Sequence, residues 1–216
     1  MAYQVVCISR DVGAGGEEIG RAVAEGLGFR YVDEEIVRSA AESSGLDLAR
    51  LTGVEERKTA IRRLLKAVLD AAPVSPEAYA AVPELITDPN PDERSREVIR
   101  EAVRQTADEG SVVIVAHAAS YVLSGRDGVL RVLVTGSLDT RAQRLAGQAG
   151  LSRKDADATL KEAEAARADY LRRFHQVGKE LPTHYDLVVN TDALGVDSAA
   201  ATVLATARQD PSPTPA

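Results

Sequence analysis

The chain has 216 residues, 44% hydrophobic and 27% charged, with a net charge of −7. That length allows one domain with a sizeable core, and the acidic balance excludes general nucleic-acid binding. Aromatic residues at 4% with no Trp exclude a base-stacking platform, and no apolar run approaches a membrane span.

The stretch VVCISRDVGAGGEEIG, residues 5–20, reads as an apolar strand, a glycine loop and a helix. Gly13, Gly15 and Gly16 tolerate positive φ, which lets successive amides face one point. The helix start adds unpaired N–H groups and the positive end of its dipole. Ser9, Arg10, Gly13, Ala14, Gly15 and Gly16 are therefore the expected cofactor-binding residues. The strict pattern GxxxxGK[ST] is not met, because Gly16, Glu17 and Glu18 stand where its last glycine, lysine and hydroxyl would be. The usual cation at the transferred phosphate and the usual magnesium ligand are missing, and Arg10 is the nearest substitute cation. Glu17 and Glu18 suit a bare helix N-terminus. About 6 Å from a phosphate, either would cost about 3 kcal/mol at an effective dielectric near 20, unless a metal or an arginine lies between. The sole cysteine, Cys7, falls in the apolar strand and reads as a buried thiol. No disulfide framework can form within one chain, which fits a reducing cytoplasm.

Ile19, Ala22, Val23 and Leu27 recur at helical spacing, and Gly28 closes that helix. Residues 29–33 read as a second strand, and Glu34 opens a helix to about Ser44; the succession is a βα unit of a parallel sheet. Between residues 47 and 110 strand signals vanish. Ile61, Leu64, Leu65, Val68 and Leu69 form one amphipathic pattern, and Val98, Ile99, Ala102 and Val103 form another. This stretch is expected to be a helical insertion over the sheet's edge. Residues 112–115 and 130–135 are apolar strands, and 138–149 is a helix. Ser152 is an N-cap, with Asp155 at the third helical position, for a long helix to about Phe174. Residues 185–190 read as the last strand, 196–208 as the last helix, and 209–216 as a disordered tail. The expectation is a single domain over residues 1–208.

Ligands of open parallel sheets gather beyond the carboxyl ends of the strands, here Ser9, Arg10, Asp33, Ala116, His117, Thr135, Asn190 and Thr191. Asp33 could hold a water on magnesium or accept a hydrogen bond from a substrate hydroxyl, or cap a helix before Glu34. His117 could contact an anion or transfer a proton, or pair with backbone. Arg141 and Arg144 share one helix face, with Leu138, Ala142 and Leu145 on the other. Arg167 falls among Leu160, Ala163, Tyr170 and Phe174 and so needs an anion, either a phosphate or a carboxylate such as Glu164. Arg172 and Arg173 read as surface residues.

On ISRDVGAGGEEIG, YVDEEIV, VIREAV, VVIVAHAASYVL, SLDTRAQRL, the arginine of AARADY and the closing YDLVVNT, the chain resembles the cytidylate kinase-like family of P-loop nucleoside monophosphate kinase relatives, over nearly its whole length. The resemblance implies an α/β fold, a three-layer αβα P-loop kinase-like architecture with a parallel sheet, a helical insertion over the acceptor and a helical lid at about residues 150–180. It implies ATP and Mg2+, a CMP-like acceptor, and a loop of the form SRExGSGG in place of the Walker sequence. Catalytic roles then fall to Arg10, Asp33, Arg141, Arg144 and Arg167, and substrate binding to Asp33 and His117, with metal ligands unassigned. The partners implied are nucleotides, with no nucleic acid and no membrane, in the cytoplasm. Oligomeric state stays open, a homodimer included.

Three departures stand against the family pattern. Glu17 occupies a place where the family usually has arginine. Ala116, His117 and Ala118 replace a usual GRG, losing the arginine expected to grip the acceptor phosphate. Asp11 in place of glutamate is mild. A nucleotide-binding regulator that keeps the fold without turnover is the alternative. A dinucleotide-binding redox domain fails at Glu18, where the third glycine should lie.

Overall fold

The structure, a computed structural model, describes residues 3–33, 93–116 and 118–210. The expected helix from Glu34, the first amphipathic pattern of the expected insertion, His117 and the tail from residue 211 lie outside the described residues.

The strands are β1 (Val5–Arg10), β2 (Arg30–Asp33), β3 (Val112–Val115), β4 (Val129–Thr135) and β5 (Leu187–Asn190). Every pairing among them is parallel, in the order β2-β3-β1-β4-β5. The helices are α1 (Gly16–Leu27), α2 (Glu93–Glu109), α3 (Ala119–Val122), α4 (Leu138–Ala149), α5 (Arg153–His175) and α6 (Thr191–Ala207). β1 is central, with Val6 opposite Val113 on one side and Leu130 on the other.

The inner strands are nearly unbroken runs of Val, Ile and Leu because both faces of the sheet are covered. On one face Val6, Ile8, Val113, Val115, Val132 and Val134 pack with Ile19 and Val23 of α1 and Ala199 and Val203 of α6. On the other, Val5, Cys7, Val32, Val112 and Ile114 pack with Val103 and Ala107 of α2 and Ala119 of α3. The result is three layers, helix on sheet on helix.

α2 corrects one expectation. Its Val103 and Ala107 lie on the sheet's face, not at its edge, because a helix leading into a parallel neighbour of β2 must cross over the sheet to reach it. The last strand starts at Leu187, two residues late, since Pro182–His184 forms a 3-10 turn whose carbonyl at Pro182 accepts from Tyr185 N–H. α6 starts early, at Thr191, but breaks at Gly195 (φ 68, ψ 173). The apolar helix thus resumes at Val196, where the periodicity begins. Ser152 caps α5 as expected, its Oγ accepting from Asp155 N–H at 3.2 Å.

Candidate active site

β1 delivers Arg10 to the carboxyl edge of the sheet, and residues 11–15 turn into α1. Gly13 (φ 76) and Gly15 (φ 85) take positive φ. A Cβ on Gly13 would stand 2.7 Å from the Arg141 carbonyl oxygen, and one on Gly16 would stand 2.6 Å from Cβ and Cδ of Arg10. At Gly13 the positive φ and the backbone oxygen together favour glycine alone, and at Gly16 any side chain would displace the stem of Arg10. Asp11 N–H donates to Val134 O at 3.0 Å and Ala14 N–H to Asp11 O at 3.0 Å. Thr135 Oγ1 donates to Asp11 Oδ2 at 2.7 Å, so the loop is fastened to the end of β4. Among the described residues, no backbone carbonyl engages the N–H of Gly13 or Gly15, and that of Gly16 belongs to the unpaired first helical turn. The bend thus keeps available amides beside a helix N-terminus, the makings of an anion nest.

Arg10 Nε donates to Glu17 Oε1 in an ion pair. The arginine stem covers Gly16. This is the arginine that a carboxylate in that place requires. Glu18 lies beside the bend, its Oε2 3.7 Å from a Cβ placed on Gly15, while its Oε1 accepts from Gln148 Nε2 of α4 at 3.1 Å.

Arg141 is only 3% exposed. Its Nε donates to Gly136 O at 3.0 Å and its Nη1 to Val12 O at 3.3 Å, while Nη2 pairs with Glu164 of α5. Arg144 Nη1 donates to Ala14 O at 3.2 Å and to Thr191 Oγ1 at 2.7 Å, and its Nη2 to Thr191 O at 3.1 Å. Both guanidinium groups therefore hold the carbonyl side of the loop. Since C=O and N–H of a trans peptide point in opposite directions, this turns loop amides to the other side. Leu138, expected on the inward face, is 46% exposed. The inward place belongs to Arg141, whose fixed fork of donors matches the bare carbonyls.

Arg167 lies on α5 with its side chain 9% exposed. Nε and Nη2 grip Glu180 Oε2 at 2.8 Å and Oε1 at 2.6 Å, and Nη1 is buried with no hydrogen-bond partner. The hydroxyl groups of Tyr185 and Tyr121 donate to the same Glu180 Oε1, that of Tyr121 at 3.4 Å. Burial opposes the charge on Arg167, but Glu180, with Tyr185 and Asp11, outweighs it and raises the pKa. Burial opposes the Glu180 carboxylate too, and Arg167 with the two hydroxyls outweighs it, holding the group below the usual carboxylate range. Glu164, one expected partner of Arg167, is taken by Arg141 instead. Arg172 and Arg173 are exposed and pair with Asp169 on their own helix.

Ser9 is fully buried, its Oγ 2.8 Å from Ser120 Oγ of α3. Ser120 Oγ lies 3.6 Å from Cys7 Sγ, and burial pushes that thiol up to about 12. Cys7 is thus a neutral core residue. Asp33 closes β2, buried and opposite Val115. Ser9, Arg10 and Asp33 reach the same edge of the sheet as the glycine loop, with Arg141, Arg144 and Arg167 ranged around it. Glu180 is not singled out by the sequence, and neither the Arg141 partnership of Glu164 nor the Thr135 partnership of Asp11 can be read from it. Thr135, read as a strand-end residue, points to Asp11. No periodic pattern reaches Glu180, which follows the left-handed turn at Gln176 (φ 57) ending α5.

Among the described residues, no three His, Cys, Asp or Glu side chains gather to hold a metal, and no helix is long and apolar enough to cross a membrane.

A family model described as the cytidylate kinase-like family matches residues 5–193. A cytidylate kinase from Symbiobacterium thermophilum is 28% identical over 215 residues, covering 93% of this chain and 94% of its own. One from Methanocorpusculum labreanum is 24% identical over 193 residues, 89% of each chain. Among solved structures, an uncharacterized protein from Eubacterium ventriosum matches with a TM-score of 0.61 at 19% identity, covering 93% of this chain and 96% of that one. A shikimate kinase from Bacteroides thetaiotaomicron matches with a TM-score of 0.51 at 16% identity, covering 94% and 97%. At such identities the likeness is one of fold, that of the P-loop kinases.

Proposed function

This chain belongs to the cytidylate kinase-like family, and we propose that it is a phosphotransferase moving the γ-phosphoryl group of ATP to a nucleoside monophosphate such as CMP. The observation that carries this reading is the glycine bend, held from behind by Arg141 and Arg144 with its amides turned outward. Donor phosphates lie against Gly13, Gly15 and Gly16. Ala14, buried in the core with its N–H on Asp11 O, shapes the bend, and Ser9 fixes the end of β1.

Arg10, released from Glu17, reaches the terminal phosphate in place of a lysine. Arg167 meets the transferring group, and the rest of the lid, about residues 150–180, closes over it. An oxygen of the acceptor phosphate attacks the terminal phosphorus, and the bridging P–O bond breaks with its electron pair leaving on ADP. Magnesium would supply charge neutralisation at the bridging oxygens. With no built carboxylate cluster among the described residues, the nucleotide's own phosphates would hold most of it, as is usual for this ion, with Asp33 on one of its waters. His117, outside the described residues, would take the role of the acceptor-side arginine. One domain over residues 1–208 carries all of this, in the cytoplasm with nucleotides as partners.

A coupled ADP-release assay across the common nucleoside monophosphates tests the proposal. Turnover above an Arg10→Ala control supports it, and none rejects it. The Arg10–Glu17 pair favours a second reading, a nucleotide-binding regulator without turnover. Calorimetry showing tight ATP binding in a chain that releases no ADP would select that one.

A further inference from the structure

An arginine side chain loses much rotamer freedom when it is fixed, so one that must meet a transferring phosphate works best when it is already aimed. Arg167 is held on one edge only. Its Nε and Nη2 are fixed to the two oxygens of Glu180, while Nη1, buried and without a partner, is the free corner of the fork. Buried charged donors are normally satisfied, so a free corner in such a place marks where an anion belongs. The guanidinium also feels the carboxylate of Asp11, in the phosphate loop, which puts that loop within its electrostatic reach.

Glu180 is itself immobilised from three directions. The left-handed residue Gln176 ends α5, and Val177 N–H returns to Leu171 O at 3.1 Å, so the chain doubles back and brings Glu180 beside Arg167. Tyr185, at the entrance to β5, donates to Glu180 Oε1, and the Tyr121 hydroxyl, on α3, lies between that oxygen at 3.4 Å and His184 Nδ1 at 3.1 Å. Tyr121 is packed by His184 and Tyr185, with ring centroids 5.7 and 6.2 Å away. A carboxylate accepting from the Tyr185 phenol and from the Nε–Nη2 edge of an arginine has little freedom left.

We infer that Glu180 is the positioning residue for Arg167, fixing its Nε–Nη2 edge so that Nη1 is aimed at the phosphoryl group in transfer. This rests on the reading of Arg167 as a contact to that group. The benefit is preorganisation: a donor held in place needs no rearrangement at the moment charge moves.

The decisive variant is Glu180→Gln, which keeps size and one oxygen and removes the charge and half the fork. The expected result is a roughly 10- to 100-fold fall in kcat with both KM values within about twofold. The Arg167 guanidinium Nε–H resonance should move towards that of a mobile arginine. Glu180→Asp, with charge kept on a shorter stem, should recover part of kcat. A Glu180→Gln protein with kcat within about twofold of the parent, or with an unchanged Arg167 resonance, overturns the inference. If the glutamine variant does not fold, Glu180→Asp decides, and unaltered turnover there overturns it equally. Arg167→Ala separates the two readings. Impairment there with an intact Glu180→Gln sinks only the positioning role, while full turnover in Arg167→Ala removes the reading of Arg167 on which that role stands.

Discussion

Arg10 and Glu17 pair across the mouth of the glycine bend, with the arginine stem resting on Gly16. The carboxylate that would repel a polyphosphate is thereby neutralised, and the cation that would attract one is engaged. A nucleotide must win Arg10 away from Glu17. Glu17→Gln should therefore tighten ATP binding roughly three- to tenfold, about 0.7–1.4 kcal/mol, as measured by calorimetry. Weaker binding in that variant would mean that the carboxylate serves the ligand, and the competition described here would be wrong.

Gly13 is fixed by two independent constraints, a φ of 76 and the Arg141 carbonyl oxygen 2.7 Å from any added Cβ. Gly13→Ala should lower stability by about 2 kcal/mol, roughly 6 °C in melting temperature for a chain of this size, and abolish detectable ATP binding. Gly147, inside α4 with nothing near an added Cβ, predicts the opposite sign. Gly147→Ala should stabilise by about 0.5–1 kcal/mol. Thermal melts of the pair check both, and similar shifts in the same direction would refute the assignment of Gly13.

Arg141 braces the loop from its carbonyl side, so removing it strands half-buried acceptors at Val12 and Gly136. Arg141→Met should cost about 2–3 kcal/mol and weaken ATP binding at temperatures where the protein is still folded. Native-like ATP affinity in a folded Arg141→Met protein would show that the bend holds its shape unaided.

Two groups tie stability to acid. Burial, and then Arg100, hold His175 below its ordinary value of 6.5, so the unfolded chain takes up a proton that the folded chain resists. Stability therefore falls as pH drops through that region. Glu180, held below its ordinary 4.5, contributes stability that is present above that value and lost as pH falls through its folded one. Denaturant midpoints measured from pH 7.5 downwards should decline in two stages, with His175→Asn flattening the first. A midpoint that rises on acidification would contradict both assignments.

Strands and helices were legible because each carries a repeating local signal: the apolar run of residues 112–115, the spacing of Ile19 and Val23, the Ser152 cap. What stayed hidden depends on residues brought together from afar. Leu138 and Arg141 were assigned opposite faces by hydropathy alone, yet Arg141 is the buried one because loop carbonyls, 129 positions away at Val12, need donors. Arg10 meets Glu17 only because two left-handed glycines fold the chain back. Arg167 finds Glu180 across a helix end that breaks every period. The break at Gly195 could have been read from that glycine itself, which sits four residues into the final helix.

The first helix is roofed by the last. A Cβ on Gly26 would lie 2.7 Å from Leu204 Cδ2, one on Gly15 would lie 2.7 Å from Val196 Cγ2, and Arg208 Nη2 donates to Gly26 O at 2.8 Å. During synthesis, then, the first helix leaves the ribosome with part of its apolar stripe uncovered, and it stays so until residues 196–208 have been made. A chain cut short before residue 196 exposes that surface to its neighbours, so its failure is aggregation rather than a merely loosened fold.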